Sequence, residues 1–231
     1  MMESGRFSDD DWAARLHQVC QQIPDTVRLI AVTKKFPAEV VRAAYGAGVR
    51  DFGESQVQEA EAKQAELTDL PDMTWHLIGH LQSNKARRAV ELFDWIHSVD
   101  SLKLAKRLNH LAAEAGRSPQ CCLQVKMVSD PPKYGFDQDQ LWSALPTLDQ
   151  LDQLSISGLM TIPPMGLSPQ ATRDVFDQAR SLADKINAAG FERLQIQELS
   201  MGMSGDYPIA IAAGATMVRL GTALFGDRPG S

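Results

Sequence analysis

Cysteine is scarce in this chain: it occurs only as Cys20, Cys121 and Cys122, with no Cys-x-x-Cys spacing. An odd count with two adjacent thiols excludes a disulfide framework and a cysteine-based zinc site, and it suits a reducing compartment. Aromatic residues make up only 6%. No apolar run approaches the roughly 20 residues of a membrane span. There is no basic run, and the formal net charge is -6, so no general electrostatic attraction to nucleic acid or anionic lipid is expected. The opening MMESGRFSDDDW has no positive start followed by an apolar core, so no secretory signal is expected. Also missing are a Walker-type loop, a dinucleotide fingerprint and a Ser/His/Asp order. Gly46-Ala47-Gly48 follows a helical stretch and reads as a cap. His76 and His80 lie on a strand and its exit, not on a helical zinc-binding face. The expectation is a cytoplasmic protein with neither a nucleic-acid nor a membrane partner. The 231 residues suffice for one large domain, residues 1–231.

What the sequence does contain is a regular alternation. An acidic start at residues 8–11 suits the beginning of a helix that runs to about residue 20. Short apolar runs then alternate with amphipathic stretches. Strands are expected at 27–32, 49–52, 75–78, 95–99, 121–128, 154–160, 197–199 and 217–220. Helices are expected at 38–47, 56–67, 84–93, 102–115, 140–145, 170–189 and 208–213. Buried strands alternating with amphipathic helices imply a parallel sheet. Eight such steps point to a closed (β/α)8 barrel preceded by an extra helix, with an open doubly wound sheet as the alternative.

In a β/α barrel the reactive groups sit at the C-terminal ends of the strands. Lys34 directly follows the run Leu29-Ile30-Ala31-Val32. Partial desolvation there disfavours the ammonium, which is the condition a Schiff-base lysine needs. A solvated lysine at a strand end is the competing reading. Lys35 should point the other way along an extended backbone. The stretch from Ser200 through Ser204 to Gly205, with Gly221-Thr222 after the last strand, falls where barrels often place a phosphate. The amides and hydroxyls there can donate to an anion, and ordinary turns are the competing reading. Arg219, inside an apolar strand, needs a partner or a ligand.

Three segments carry a family resemblance. They are Ala31-Val32-Thr33-Lys34, the run Phe52-Gly53-Glu54-Ser55-Gln56-Val57-Gln58-Glu59, and the run from Trp75 and His76 through Gly79-His80-Leu81-Gln82-Ser83-Asn84-Lys85. Lys133-Tyr134-Gly135-Phe136, Gly158-Leu159-Met160, Leu199 to Ser204 and Val218 to Gly226 agree in order and spacing. The chain resembles the YggS/PROSC family, the pyridoxal phosphate homeostasis proteins. The resemblance implies a barrel of the alanine-racemase N-terminal type (the type III fold of pyridoxal phosphate proteins), without that enzyme's second domain. It implies pyridoxal 5′-phosphate (PLP) as cofactor, with Lys34 as the Schiff-base lysine. Ser200, Ser204, Gly221 and Thr222 would hold the phosphate, and Arg219 would face the pyridine nitrogen. Met160 and His76 would neighbour the ring or support it, and Ser55 would reach the cofactor from the second strand. Two positions depart from the family pattern: Ser55 and Lys126 stand where asparagine is usual.

A cationic arginine at the pyridine nitrogen disfavours protonation there and weakens the ring as an electron sink. The expectation is therefore a carrier or buffer of PLP without robust catalysis, with PLP and apo PLP-enzymes as partners. A weak amino-acid racemase is the alternative. A barrel enzyme using Lys34 on a phosphorylated metabolite is a third reading. The low aromatic content and the lack of an apolar surface stripe suggest a monomer.

Overall fold

The computed structural model describes residues 9–128, 130 and 133–227. Eight strands form a closed barrel in sequential order: β1 (Arg28–Val32), β2 (Asp51–Glu54), β3 (Thr74–Leu77), β4 (Trp95–Val99), β5 (Gln120–Gln124), β6 (Ser155–Met160), β7 (Glu198–Met203) and β8 (Met217–Leu220). Strands β1 and β8 pair in parallel from Arg28↔Met217 to Ala31↔Leu220. That pairing closes the sheet and rules out the open doubly wound alternative. Helix α1 (Asp9–Gln22) precedes the barrel. The helices that follow are α2 (Ala38–Gly46), α3 (Val57–Glu66), α4 (Ala86–Leu92), α5 (Leu102–Ala115), α6 (Gln138–Leu148), α7 (Pro169–Ala188), α8 (Tyr207–Ala212) and α9 (Thr222–Phe225).

The strands sort their residues by parity, because successive side chains point to opposite faces. One parity feeds the layer beneath the helices: Ala31, Phe52, Leu77, Ile96, Leu123, Leu159, Val218 and Leu220 all belong to this main core. The other parity fills the lumen, where Ile30, Trp95, Cys122, Met160 and Met217 form a separate, smaller apolar cluster. Between these apolar residues the lumen holds polar ones, with His76, His97 and Ser200 fully buried and Arg219 4% exposed. Polar groups at this depth must be paired with one another.

Several boundaries move from expectation. Strand β5 ends at Gln124, where residues up to 128 were expected to be strand. Helix α6 starts earlier and ends later than expected, because Asp137 and Gln140 form a capping box and Pro146 is accommodated inside it. The change with most consequence is in β7. It continues through Ser200 to Met203, where a loop was expected. It does so by a bulge: Ser200 pairs with Met217 and Met203 with Arg219, so three steps on β7 match two on β8. Gly202 absorbs the extra residue at φ +96, and an added Cβ there would lie 2.7 Å from that of Ala210.

Helix α1 packs against α9 through Trp12 and Phe225, whose ring centroids are 6.4 Å apart. Among the described residues no helix is long and apolar enough to cross a membrane.

Candidate functional site

The C-terminal mouth of the barrel holds a cavity of about 330 Å³, within the usual range for small-molecule sites. It is lined by Val32, Lys34, Ser55, Ile78, Gly79, Ile162, Met203, Ser204, Gly205, Arg219, Gly221 and Thr222. Six of the nine residues expected from the sequence are therefore brought to one cavity: Lys34, Ser55, Ser204, Arg219, Gly221 and Thr222. Lys34 shares the parity of Ile30 and Val32 and is partly buried, while Lys35 is exposed. A larger groove of about 510 Å³, bordered by Leu102, Phe136 and Ala144, lies outside the barrel. Among the described residues it offers one carboxylate, Asp139, and no amine or imidazole.

The backbone around Lys34 is clamped from outside the strand. Lys63 Nζ donates to the carbonyl oxygen of Thr33 at 2.8 Å. It also bridges Glu54 at 2.6 Å and Glu59 at 2.8 Å. Glu59 Oε1 accepts the amide of Lys35 at 2.5 Å, and the Thr33 hydroxyl donates to Glu54 at 2.7 Å. Both peptide neighbours of Lys34 are thus tied to one ionic cluster supplied by β2 and α3. Lys35 sits at φ 66, the only non-glycine residue at positive φ among those described. That conformation ends the strand abruptly and separates the directions of the two lysines. Glu54 is fully buried, and desolvation raises its carboxyl pKa against the opposing pull of Lys63. Sequence reading missed this cluster. The Glu-x-x-x-Lys spacing of Glu59 and Lys63 on α3 was its only local trace.

At the other side of the mouth, Ser204 Oγ accepts from the amides of Gly221 at 3.3 Å and Ala223 at 3.1 Å. The loops after β7 and β8 therefore meet on one hydroxyl, next to Thr222. Arg219 forms the floor. Its Nη1 donates to Ser200 Oγ at 2.6 Å and its Nη2 to the carbonyl of Thr161 at 3.2 Å. Desolvation lowers the guanidinium pKa to about 10.

Three expected residues lie off the cavity wall. Ser200 was expected to hold phosphate with Ser204. Because β7 extends through it, its side chain turns into the lumen and bonds Arg219 and His97. His76 lies deeper, between His97 at 3.0 Å and Asp51 at 2.9 Å. Met160 is part of the apolar lumen cluster; Ile162, two residues on, packs against that cluster and lines the cavity. Lys126 pairs with Asp137 at 3.0 Å, at the start of α6. His97 and Asp51 were not anticipated; each looked like an ordinary polar residue in a strand.

The donor set fits PLP. An amine, a fixed cation and a cluster of hydroxyl and amide donors converge on one cavity, and among the described residues no group of three or more acidic, histidine or cysteine side chains could hold a metal instead. Lys34 and Arg219 are the only titratable residues lining it among those described.

Comparison with known proteins agrees with the architecture. The alanine racemase N-terminal domain family matches residues 8–229. A pyridoxal phosphate homeostasis protein from Synechocystis is 51% identical over 91% of this chain and 96% of its own length. One from Pseudomonas aeruginosa is 46% identical over 94% and 92%. The structure of PipY from Synechococcus elongatus PCC7942 with PLP bound superposes with a TM-score of 0.89 at 56% identity, covering 93% of this chain and all of that one. This chain therefore belongs to the alanine racemase N-terminal domain family and, within it, to the pyridoxal phosphate homeostasis proteins.

Proposed function

We propose that this protein holds PLP on Lys34 at the barrel mouth and serves to store and hand over that cofactor inside the cell. The observation that carries this reading is the convergence of Lys34, Arg219, Ser204, Gly221 and Thr222 on one cavity. PLP, when bound, supplies an aldehyde that an amine can capture and a ring that draws electrons from attached groups. Lys34 provides that amine, and the clamp on Thr33 and Lys35 fixes the direction from which it approaches. Ser204, Gly221 and Thr222 would hold the phosphate. Arg219 would face the ring nitrogen and, as a cation, would disfavour its protonation. Ser55 reaches the cavity from the β2 exit.

The composition of the cavity favours carriage over turnover. Racemisation needs a second proton-transfer group on the opposite ring face. Tyr207 is nearly buried and donates to Gln22 at 2.5 Å beneath α1. Tyr134 is 56% exposed and stacks on His80 outside the cavity. With Lys34 the sole base on the wall among the described residues, the reading is a non-catalytic carrier that exchanges PLP with apo PLP-enzymes. It acts as a monomer in the cytoplasm, where Cys20, Cys121 and Cys122 stay reduced.

The test is the visible spectrum of the purified protein with added PLP, before and after borohydride. A band that borohydride fixes onto the Lys34 peptide, lost in Lys34→Ala and kept in Lys35→Ala, is the expected result. A protein that takes up no PLP would overturn the reading.

A further inference from the structure

A continuous line of hydrogen bonds crosses the lumen from its closed end to the cavity floor. Asp51 Oδ1 meets His76 Nε2 at 2.9 Å, His76 Nδ1 meets His97 Nε2 at 3.0 Å, and His97 Nδ1 meets Ser200 Oγ at 2.8 Å. Ser200 Oγ then receives Arg219 at 2.6 Å. Five strands contribute one residue each, and the two inner links, His76 to His97 and His97 to Ser200, join fully buried side chains.

Donor and acceptor accounting gives this line a direction. A carboxylate only accepts, so His76 Nε2 carries a proton and gives it to Asp51. The other nitrogen of a neutral His76 then accepts, so His97 donates from Nε2. His97 Nδ1 is left as an acceptor, and the Ser200 hydroxyl turns its proton to it. The lone pairs of Ser200 are thereby free for Arg219. The opposite direction fails at Ser200: its oxygen would receive both His97 and Arg219, and its own proton would have no acceptor among the described residues. An unmet buried donor costs about 1–3 kcal/mol.

We propose that Asp51, His76 and His97 are positioning residues that act through Ser200 to fix Arg219 as a hydrogen-bond donor in the cavity floor. The proposal rests on the reading of that cavity as a PLP site and extends it to a residue at the far end of the barrel. Arg219 has no carboxylate within ion-pair distance among the described residues, so neutral groups hold it in place. Burial lowers the pKa of His97 well below the ordinary value, and the neighbouring His76, Arg219 and Arg28 act in the same direction, since a proton on His97 would be repelled by a charge on any of them. Burial likewise lowers that of His76, against the pull of Asp51 and Asp94. Other charged or titratable groups facing the line are Arg28, 3.7 Å from Asp51, and Cys122 and Asp206 around Arg219. A proton gained by either ring would put a donor on His97 Nδ1 and turn it toward Ser200, the partner of Arg219.

The first arm uses the PLP-free protein. Nitrogen-15 spectra of its histidines should show His76 and His97 both neutral and both protonated on Nε2. Either ring found as the Nδ1–H form or as imidazolium overturns the proposal. The second arm uses Asp51→Ala, which changes a partly exposed residue at the closed end. It should leave His76 in a mixture of tautomers, weaken PLP binding about tenfold, and shift the nitrogen-15 signal of ring-labelled bound PLP. His97→Gln, which keeps one donor and one acceptor, should retain the wild-type ring signal, while His97→Phe should not. An unchanged ring signal in both Asp51→Ala and a folded His97→Phe would overturn the proposal; if His97→Phe does not fold, Asp51→Ala and His97→Gln decide it. If the tautomers are as stated but PLP is not taken up, the cofactor reading fails while the positioning of Arg219 stands.

Discussion

Lys63 Nζ donates to the main-chain carbonyl of Thr33, thirty residues earlier and one residue before Lys34, at 2.8 Å. An α3 side chain thus fixes the backbone next to the Lys34 amine. The same ammonium holds Glu54, which is fully buried.

Lys63→Met removes the counter-charge of Glu54 and the anchor of Thr33 together. Deleting one member of a buried pair costs about 3–5 kcal/mol. Urea unfolding should show that loss, and PLP uptake should weaken with it. Adding Glu54→Gln should restore part of the stability, since the stranded charge is then gone, but not the anchor on Thr33.

Lys35 occupies the left-handed region at φ 66, which costs a side-chain-bearing residue about 1–2 kcal/mol. Lys35→Gly removes that strain but gives up about 0.5–1 kcal/mol to the freer unfolded chain. The melting midpoint should move little. Lys35→Val, β-branched, should lower stability by about 1–2 kcal/mol. A large loss in the glycine variant would show that the loop has another conformation.

Gly79 has no room for a side chain: an added Cβ would lie 2.2 Å from the carbonyl oxygen of Ser55 and 2.8 Å from its Cα. Both are backbone atoms, so the β2 and β3 exits must separate. Gly79→Ala should cost about 1–3 kcal/mol in denaturant. It should also displace Ser55 and reduce PLP uptake, read by absorbance.

Ser204→Ala leaves the amides of Gly221 and Ala223 without their hydroxyl acceptor. Affinity for PLP should fall about tenfold, while affinity for pyridoxal, which lacks the phosphate, should change little. Equal losses for both ligands in an equilibrium titration would place the phosphate elsewhere.

His76 and His97 have pKa values lowered by burial. The unfolded chain therefore takes up protons that the native rings refuse. Their contribution to stability is complete above the ordinary histidine value of 6.5 and is lost as the pH falls below it, by up to about 1.4 kcal/mol per pH unit for each ring. Glu54 acts with the opposite sign: its raised pKa means that the native state holds the proton longer, so stability is lost as the pH rises through the folded value. Unfolding midpoints from about pH 7.5 down to about pH 5.5 should fall in the wild type and fall less steeply in His97→Gln.

The alternation of apolar runs and amphipathic stretches determined the eight β/α steps, since strand parity and helix periodicity are local properties of the chain. It also placed Lys34 at a strand exit and Ser204, Gly221 and Thr222 on adjacent loops. Barrel closure was decided by the β1–β8 pairing, a contact between the two ends of the sheet that no local pattern encodes. The position of Ser200 was decided in the same way. The bulge at Gly202 lets β7 run on to pair with β8, which turns an apparent phosphate-loop serine into a lumen residue. Asp51, His76 and His97 belong to three different strands, and only the stagger of neighbouring strands around a closed barrel brings them into one hydrogen-bonded line. A sequence specifies which face each residue takes; which residues then meet across the lumen depends on register, and register is fixed by the packing of the whole sheet.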